Sequence, residues 1–438
     1  MNNALRHLAP PSLLVALIAA GFHNPLVVSL ALSASAGLAT YTAIPAVKNV
    51  FVSHGRAGKD LLKTGTPIIP ESMGAIVGVI YIIAMFLFIP VPFISWFRQS
   101  QFALGGEEEL VFPHTKFAQF LGGLLALMSM LFLGFADDVL DIRWRVKIWL
   151  PLIASVPLLM VYSVTYGGTD VVVPIPLRAL FGGKLVHLGI FYYAFMAALA
   201  IFSTNAINIL AGVNGVEAGQ SLVIALSIAA NDILQLQRNP ARIEAHLTSL
   251  YFVLPFIGVT IAFLCHNWYP ARAFGGDTYC YFAGMIFAVV GILGNFSKTV
   301  LLFMLPQIFN FVYSCPQLFH FVECPRHRMP RLDPKTGLLN HTSFPVANTS
   351  TLGRLMVKVL QRLGLLRVRY ETVDKKRTAI DANNLTLMNL LLVKFGPMKE
   401  RNLALAVMAT QFACSCLAFV IRYLLVQFVY NDREDNRT

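Results

Sequence analysis

The chain of 438 residues is 56% hydrophobic and only 13% charged, with a mean hydropathy of +0.65. A soluble domain of this length carries roughly twice that charged fraction, so the composition excludes a water-soluble globular protein. The net charge of +12 does not signal nucleic acid, because no stretch has the polar, basic, aromatic-interleaved make-up of a nucleic-acid domain.

In chain order, residues 1–25 form an N-terminal extension with Arg6 as its one basic residue. Leu13 to Gly21 has the make-up of a signal-peptide core, but no clear polar mature region follows, which favours an extension. Residues 26–319 read as a membrane domain, because apolar runs near the length a bilayer demands recur along it. The predicted spans are Leu26–Ala46, Ser72–Trp96, Phe117–Gly134, Ile148–Val164, Leu188–Ser203, Gly219–Leu236, Leu250–Cys265, Cys280–Leu293 and Thr299–Phe319. Between the fourth and fifth, Thr169–Leu177 is rich in Val and Pro and predicts a small extramembrane β-hairpin. Residues 320–400 predict a mixed α/β insert, and residues 401–438 hold a last span, Leu403–Phe428, and a tail. The fold class is therefore an all-α polytopic membrane protein of about ten transmembrane helices. The six cysteines fit neither a zinc site nor a disulfide framework by spacing.

Basic residues orient the spans. Lys48, Arg56, Lys59 and Lys63 follow the first span, Arg143, Arg145 and Lys147 the third, and Arg272 the seventh. After the ninth, residues 320–399 carry 14 Lys/Arg against 5 Asp/Glu, a net of +9. The loop after the second span instead carries Glu107-Glu108-Glu109. The odd-numbered loops are thus cytosolic, and nearly all the unusual polar clusters lie in them, as a single site on one face requires.

Four clusters carry candidate chemistry. Asp137, Asp138 and Asp141 share much of one helical face at the end of a span, with Arg143, Arg145 and Lys147 just beyond. A headgroup-anchored helix end is the plainer reading, yet adjacent acids at a membrane surface are costly unless they meet a cation or metal. In Asn205 to Gly219, Asn205 and Asn208 stand one helical turn apart, while Asn214-Gly215 and Glu217 follow among glycines that let backbone approach a ligand. In His266 to Thr278, Phe274 stands beside Gly275-Gly276, and Asp277 begins the next helix, where an acid also serves as a cap. In Cys324-Pro325-Arg326-His327-Arg328-Met329-Pro330, prolines bracket a cationic triplet whose guanidinium pair suits a pyrophosphate. Lipid headgroups are its alternative ligand.

These stretches, with Ile69-Pro70-Glu71-Ser72, Leu133 to Asp138 and His266 to Pro270, occur in an order that resembles the polyprenyl-phosphate N-acetylhexosamine-1-phosphate transferase family. The similarity is to its eukaryotic branch, which uses UDP-GlcNAc and dolichyl phosphate. It extends through Gly291 to Gly294 and Phe296 to Thr299 and resumes at Glu400 to Leu403. Residues 340–385 fall outside it and are assigned no chemistry; Lys59 stands where an uncharged amide is expected.

The resemblance implies a site. Asn208 and Asp277 would ligate Mg²⁺, and Arg326 would hold the pyrophosphate with His327 and Arg328 around the GlcNAc. Phe274 would stack on uracil, with Asp60, Leu61, Glu71 and the Asn214 backbone around the uridine. Lys147 would meet dolichyl phosphate, helped by Ile201, Asn205, Asn208 and Ile209, and Asp137, Asp138 and Asp141 would complete the catalytic group. It further implies an endoplasmic-reticulum enzyme with its active site on the cytosolic face, a lumenal hairpin and a homodimer. The rivals are a bacterial-type relative using undecaprenyl phosphate, which would carry a histidine-rich cytosolic loop, and a secondary transporter. Transport sites lie near the bilayer midplane, whereas these acids lie at span ends.

Overall fold

Asn24 and Pro25 begin the first spanning helix, where the Asn24 side chain accepts Leu26 N–H at 3.0 Å and proline occupies the first turn. The structure is a computed structural model that describes residues 24–94, 96, 112–325, 328–346, 349–373 and 376–430. The N-terminal extension up to residue 23, the acidic Glu107–Glu109 loop, and Arg326 and His327 lie outside the described residues.

The membrane helices are α1 (Pro25–Ser53), α2 (Gly74–Phe88), α3 (His114–Leu140), α4 (Leu150–Thr165), α5 (Ile190–Ile209), α6 (Val216–Arg238), α7 (Ile243–Asn267) and α8 (Gly276–Leu293). They are followed by α9 (Ser297–Phe303) and α10 (Leu305–Leu318), which are bent by 72° to one another. After the insert, α13 (Glu400–Val420) is prolonged by a π turn, Ile421–Leu425. Among the described residues eight helices are long and apolar enough to cross a membrane, α2 because a 3₁₀ turn prolongs it to Phe93, and the bent pair makes a ninth. The predicted fourth span is α4, whose 16 residues reach only about 24 Å, short of a hydrocarbon core of about 30 Å. The count of about ten therefore stands at eight or nine by length.

Helix α8 is the axis of the bundle. Every residue from Thr278 to Leu293 is buried, so no face is left for lipid, and α2, α3, α5 and α7 pack around it. Within the bundle, buried His246 Nδ1 lies 2.7 Å from Asp232 Oδ1 and ties α7 to α6.

Strand β1 (Ala57–Lys59) pairs antiparallel with β2 (Ile68–Pro70) after α1. The hairpin predicted at Thr169–Leu177 is wider than expected. Its first strand is β3 (Asp170–Val172), but the partner β4 (Leu185–His187) comes after a 3₁₀ turn at Ile175–Leu177. The prolines that marked the stretch lie in the connection, not in a strand.

In the insert, β5 (Arg331–Leu332) pairs with β6 (Leu339–Asn340), and β7 (Ser343–Pro345), β8 (Val368–Val373) and β9 (Lys376–Asn383) form a sheet in the order β7-β9-β8. Helices α11 (Thr351–Arg362) and α12 (Leu387–Phe395) complete it. The insert leans on α10, where Ser314 Oγ donates to Leu385 O at 2.6 Å and Asn310 Oδ1 accepts Leu387 N–H at 2.8 Å.

Candidate active site

Helix α3 continues past Gly134, where its apolar run ends, so that its last turn carries Asp137 and Asp138 to one end of the bundle. It stops at Asp141 in the left-handed conformation (φ 48°), and Asp141 is exposed, away from the acids it follows. The single turn Trp144–Lys147 then returns Lys147 to the cluster. Its Nζ lies 3.2 Å from Asp137 Oδ2 and 2.8 Å from Asp277 Oδ2. The other Asp277 oxygen accepts Asn208 Nδ2 at 2.8 Å from the last turn of α5. Buried Asp137 also accepts the Tyr281 hydroxyl at 2.9 Å and Ile142 N–H at 3.1 Å. Partial burial would lower the Lys147 pKa, but the carboxylates of Asp277 and Asp137 outweigh it and raise it above its ordinary value. The lysine is therefore a fixed positive charge at neutral pH.

Asp138 does different work from its neighbour. Its Oδ1 accepts Asp277 N–H at 2.7 Å, and its Oδ2 accepts Thr278 N–H at 3.2 Å and the Thr278 hydroxyl. It caps α8 from another helix, satisfying amides that have no partner inside α8. Gly276 makes the approach possible: its φ is +69°, and a Cβ there would meet the Asp138 carboxylate at 2.4 Å. Asp138 thus sets where Asp277 stands. Asp138→Ala is expected to cost about 1–2 kcal/mol of stability and to lower kcat, by analogy with lost helix caps. Asp138→Asn, which keeps an acceptor, should recover part of both in thermal unfolding and turnover assays. If the two variants were equally inactive at equal stability, Asp138 would have a chemical role instead.

Two cavities open on this cluster. The first, of about 250 Å³, is lined by Asp60, Leu61, Glu71, Asn214 and Phe274 together with Asn208 and Asp277. The second, of about 490 Å³, is lined by Lys147, Asn205, Asn208, Ile209 and Arg328. Asn208 belongs to both. The uridine and lipid-phosphate sets expected from the sequence are thus separate walls of adjoining cavities, except that Ile201 lines neither, its carbonyl accepting Asn205 Nδ2 at 2.8 Å and the Thr204 hydroxyl at 3.1 Å. Asp137 and Asp138 also line neither cavity. Asn389 Nδ2 donates to Arg328 O at 2.7 Å, while the buried Arg328 Nη1 has no hydrogen-bond partner among the described residues. Such a donor is suited to a phosphate or sugar oxygen.

Lys63 and Glu400 were not among the predicted site residues. Lys63 Nζ lies 3.1 Å from Asp60 Oδ2, donates to Asn214 Oδ1 at 3.0 Å and pairs with Glu400, whose Oε1 accepts Asn214 N–H at 3.0 Å. The first turn of the last span therefore holds the wall of the first cavity. Glu217 acts similarly from below, its Oε1 accepting Asn267 Nδ2 at 2.9 Å and Gly275 N–H at 3.2 Å.

The donor set at the seam suits a hard cation. Turning the Asn208 amide over would place its oxygen beside the Asp277 carboxylate, and two oxygen ligands leave most of an octahedral Mg²⁺ shell to phosphate and water. Among the described residues no three His, Cys, Asp or Glu side chains form a metal cage.

Fold and site together define a polytopic membrane protein with an acid, amide and cation cluster at one end of its bundle. Residues 120–295, which span α3 to α8, match the family model described as Glycosyl transferase family 4. The chain is 45% identical to the UDP-N-acetylglucosamine–dolichyl-phosphate N-acetylglucosaminephosphotransferase of Schizosaccharomyces pombe, covering 94% of this chain and 95% of that one. It is 42% identical to the protein of the same name in Saccharomyces cerevisiae (90% of each chain). The Dictyostelium discoideum counterpart is 41% identical (89% and 87%). The chain belongs to this family of transferases.

Proposed function

We propose that the chain transfers GlcNAc-1-phosphate from UDP-GlcNAc to dolichyl phosphate, giving GlcNAc-PP-dolichol and UMP. The observation that carries the reading is Asn208, shared by a cavity with nucleotide-type walls and a second one holding Lys147 and Arg328. A donor pyrophosphate lying across that seam would meet an acceptor phosphate beside Lys147. Mg²⁺, held by Asn208 and Asp277, would neutralise charge on the pyrophosphate. The reaction would take place at the cytosolic face of the endoplasmic-reticulum membrane, supported by the basic odd-numbered loops, and the homodimer implied by the resemblance is part of the proposal.

Purified protein given labelled UDP-GlcNAc, dolichyl phosphate and Mg²⁺ is expected to form the lipid product, and omitting the metal is expected to stop it. Use of UDP-MurNAc-pentapeptide in place of UDP-GlcNAc would favour the bacterial-type reading.

Arg328 reads the donor sugar in this scheme. Arg328→Ala should lower the preference for UDP-GlcNAc over UDP-glucose by about tenfold, because a lost polar contact leaves its partner unpaired. Competition assays with both nucleotides measure this. A change confined to dolichyl-phosphate dependence would reassign Arg328 to the lipid.

A further inference from the structure

Helix α11 has two apolar faces, and the described residues cover only one of them. Gly353 and Val357 turn inward, and Val357 packs with Val322, Phe344 and Leu366 in the core of the insert. A second row, Leu352, Leu355, Val359 and Leu363, remains between 45% and 66% exposed. Steps of three, four and four residues align these four on one stripe. Arg354, Lys358 and Arg362 run beside it at four-residue steps, and residues 351–367 hold four Lys/Arg and no Asp or Glu.

The preceding span determines where this stripe stands. At one end, Ser350 caps α11 by accepting Gly353 N–H at 3.0 Å while its hydroxyl donates to Phe321 O at 2.9 Å. Just past the other end, Leu365 O accepts the Tyr313 hydroxyl at 2.6 Å. Tyr313 lies on α10 and Phe321 directly follows it, so both ends of α11 are tied to the stretch of chain that leaves the membrane. That stretch itself turns Val312 and Phe319 outward. The exposed stripe therefore stands on a helix anchored at both ends beside a span that itself carries outward-turned apolar side chains.

We propose that α11 lies in the cytosolic interface of the bilayer, its Leu352–Leu355–Val359–Leu363 stripe in the acyl boundary and its arginines and lysine on anionic headgroups. Four aligned large apolar side chains flanked by cations are the make-up of an interfacial helix, and water satisfies only the cations. The docking would hold the insert, and with it Arg328, at a constant height above the surface from which the lipid acceptor arrives.

Nanodiscs containing the full-length protein and a phospholipid with a photoactivatable group in its acyl chain test this. After illumination, the peptide containing Leu352–Leu363 is expected to carry lipid adducts at a yield within about threefold of the α10 peptide. Leu355→Glu with Val359→Glu is expected to reduce adducts on the α11 peptide by about fivefold or more, leaving α10 adducts unchanged. Replacing part of the phosphatidylcholine with phosphatidylserine should raise the α11 yield. An unlabelled α11 peptide in wild-type protein whose α10 is labelled would overturn the proposal, as would crosslinking of the stripe to a second protein copy. A yield indifferent to phosphatidylserine would remove the headgroup half of it.

Discussion

Asp277→Asn is expected to lower transfer by about 10³-fold or more while leaving the protein folded, since removing the carboxylate that would hold Mg²⁺ and that pairs with Lys147 takes away charge neutralisation at the reacting phosphates, which costs on that scale. An acid at the start of a helix is usually a cap, and from sequence that reading of Asp277 competes with a functional one. The structure separates them. Two amides at the start of α8, those of Asp277 and Thr278, are satisfied by Asp138, and the Asp277 carboxylate is engaged by side chains from other elements instead of capping its own helix. It stands between Lys147 and Asn208, each 2.8 Å away, and lines the first cavity. Asparagine has the same shape and keeps one oxygen, so packing around α8 is preserved while the charge is removed. Size-exclusion behaviour and thermal unfolding should match wild type while product formation collapses. Near-normal turnover would remove Asp277 from the site and weaken the Mg²⁺ assignment that depends on it.

The exchange of roles between Asp138 and Asp277 marks the limit of what the sequence discloses. Adjacent acids at the end of a span draw attention as a pair, but nothing local says that one faces Lys147 and the other reaches a different helix. That depends on Gly276, whose bare backbone admits the Asp138 carboxylate, and on the depth to which α3 and α8 are packed together. Periodicity and composition located the spans well, because a lipid-facing run must be apolar. They placed span ends too early, since α3 and α5 remain helical through Asp138 and Asn208, where polar side chains meet another helix or a cavity instead of lipid. Lys63 and Glu400 show the other limit. They pair across 337 residues, and neither has a neighbour in the chain that betrays the contact. Asn214, by contrast, was legible from its Asn-Gly-rich setting, and Lys63 and Glu400 are found only by asking what holds it.

Lys147→Met is expected to reduce kcat by about 10²- to 10³-fold, with a smaller effect on the apparent affinity for UDP-GlcNAc, because the charge acts where two anions meet. The acceptor is already an ionised phosphate near neutral pH, so it needs neither a general base nor an enzymic nucleophile. Its approach to the β-phosphorus is opposed chiefly by charge. Lys147 lines the second cavity, and its two carboxylate partners keep it protonated and hold its ammonium in place. Arg328 shares that cavity. This favours a single displacement with no covalent intermediate. The competing scheme makes Asp137 a nucleophile that first releases UMP, but Asp137 is badly placed for attack. It is buried, one oxygen accepts Ile142 N–H, the other accepts the Tyr281 hydroxyl and faces Lys147, and it lines neither cavity. Holding Lys147 is the work its position allows. The two schemes differ without lipid present. An enzyme-bound phosphosugar would let labelled UMP exchange into UDP-GlcNAc in the absence of dolichyl phosphate, and direct transfer would not. No exchange is expected from wild-type protein. Robust lipid-independent exchange, lost in Asp137→Asn, would replace single displacement with the two-step route and make Lys147 the partner of a nucleophile.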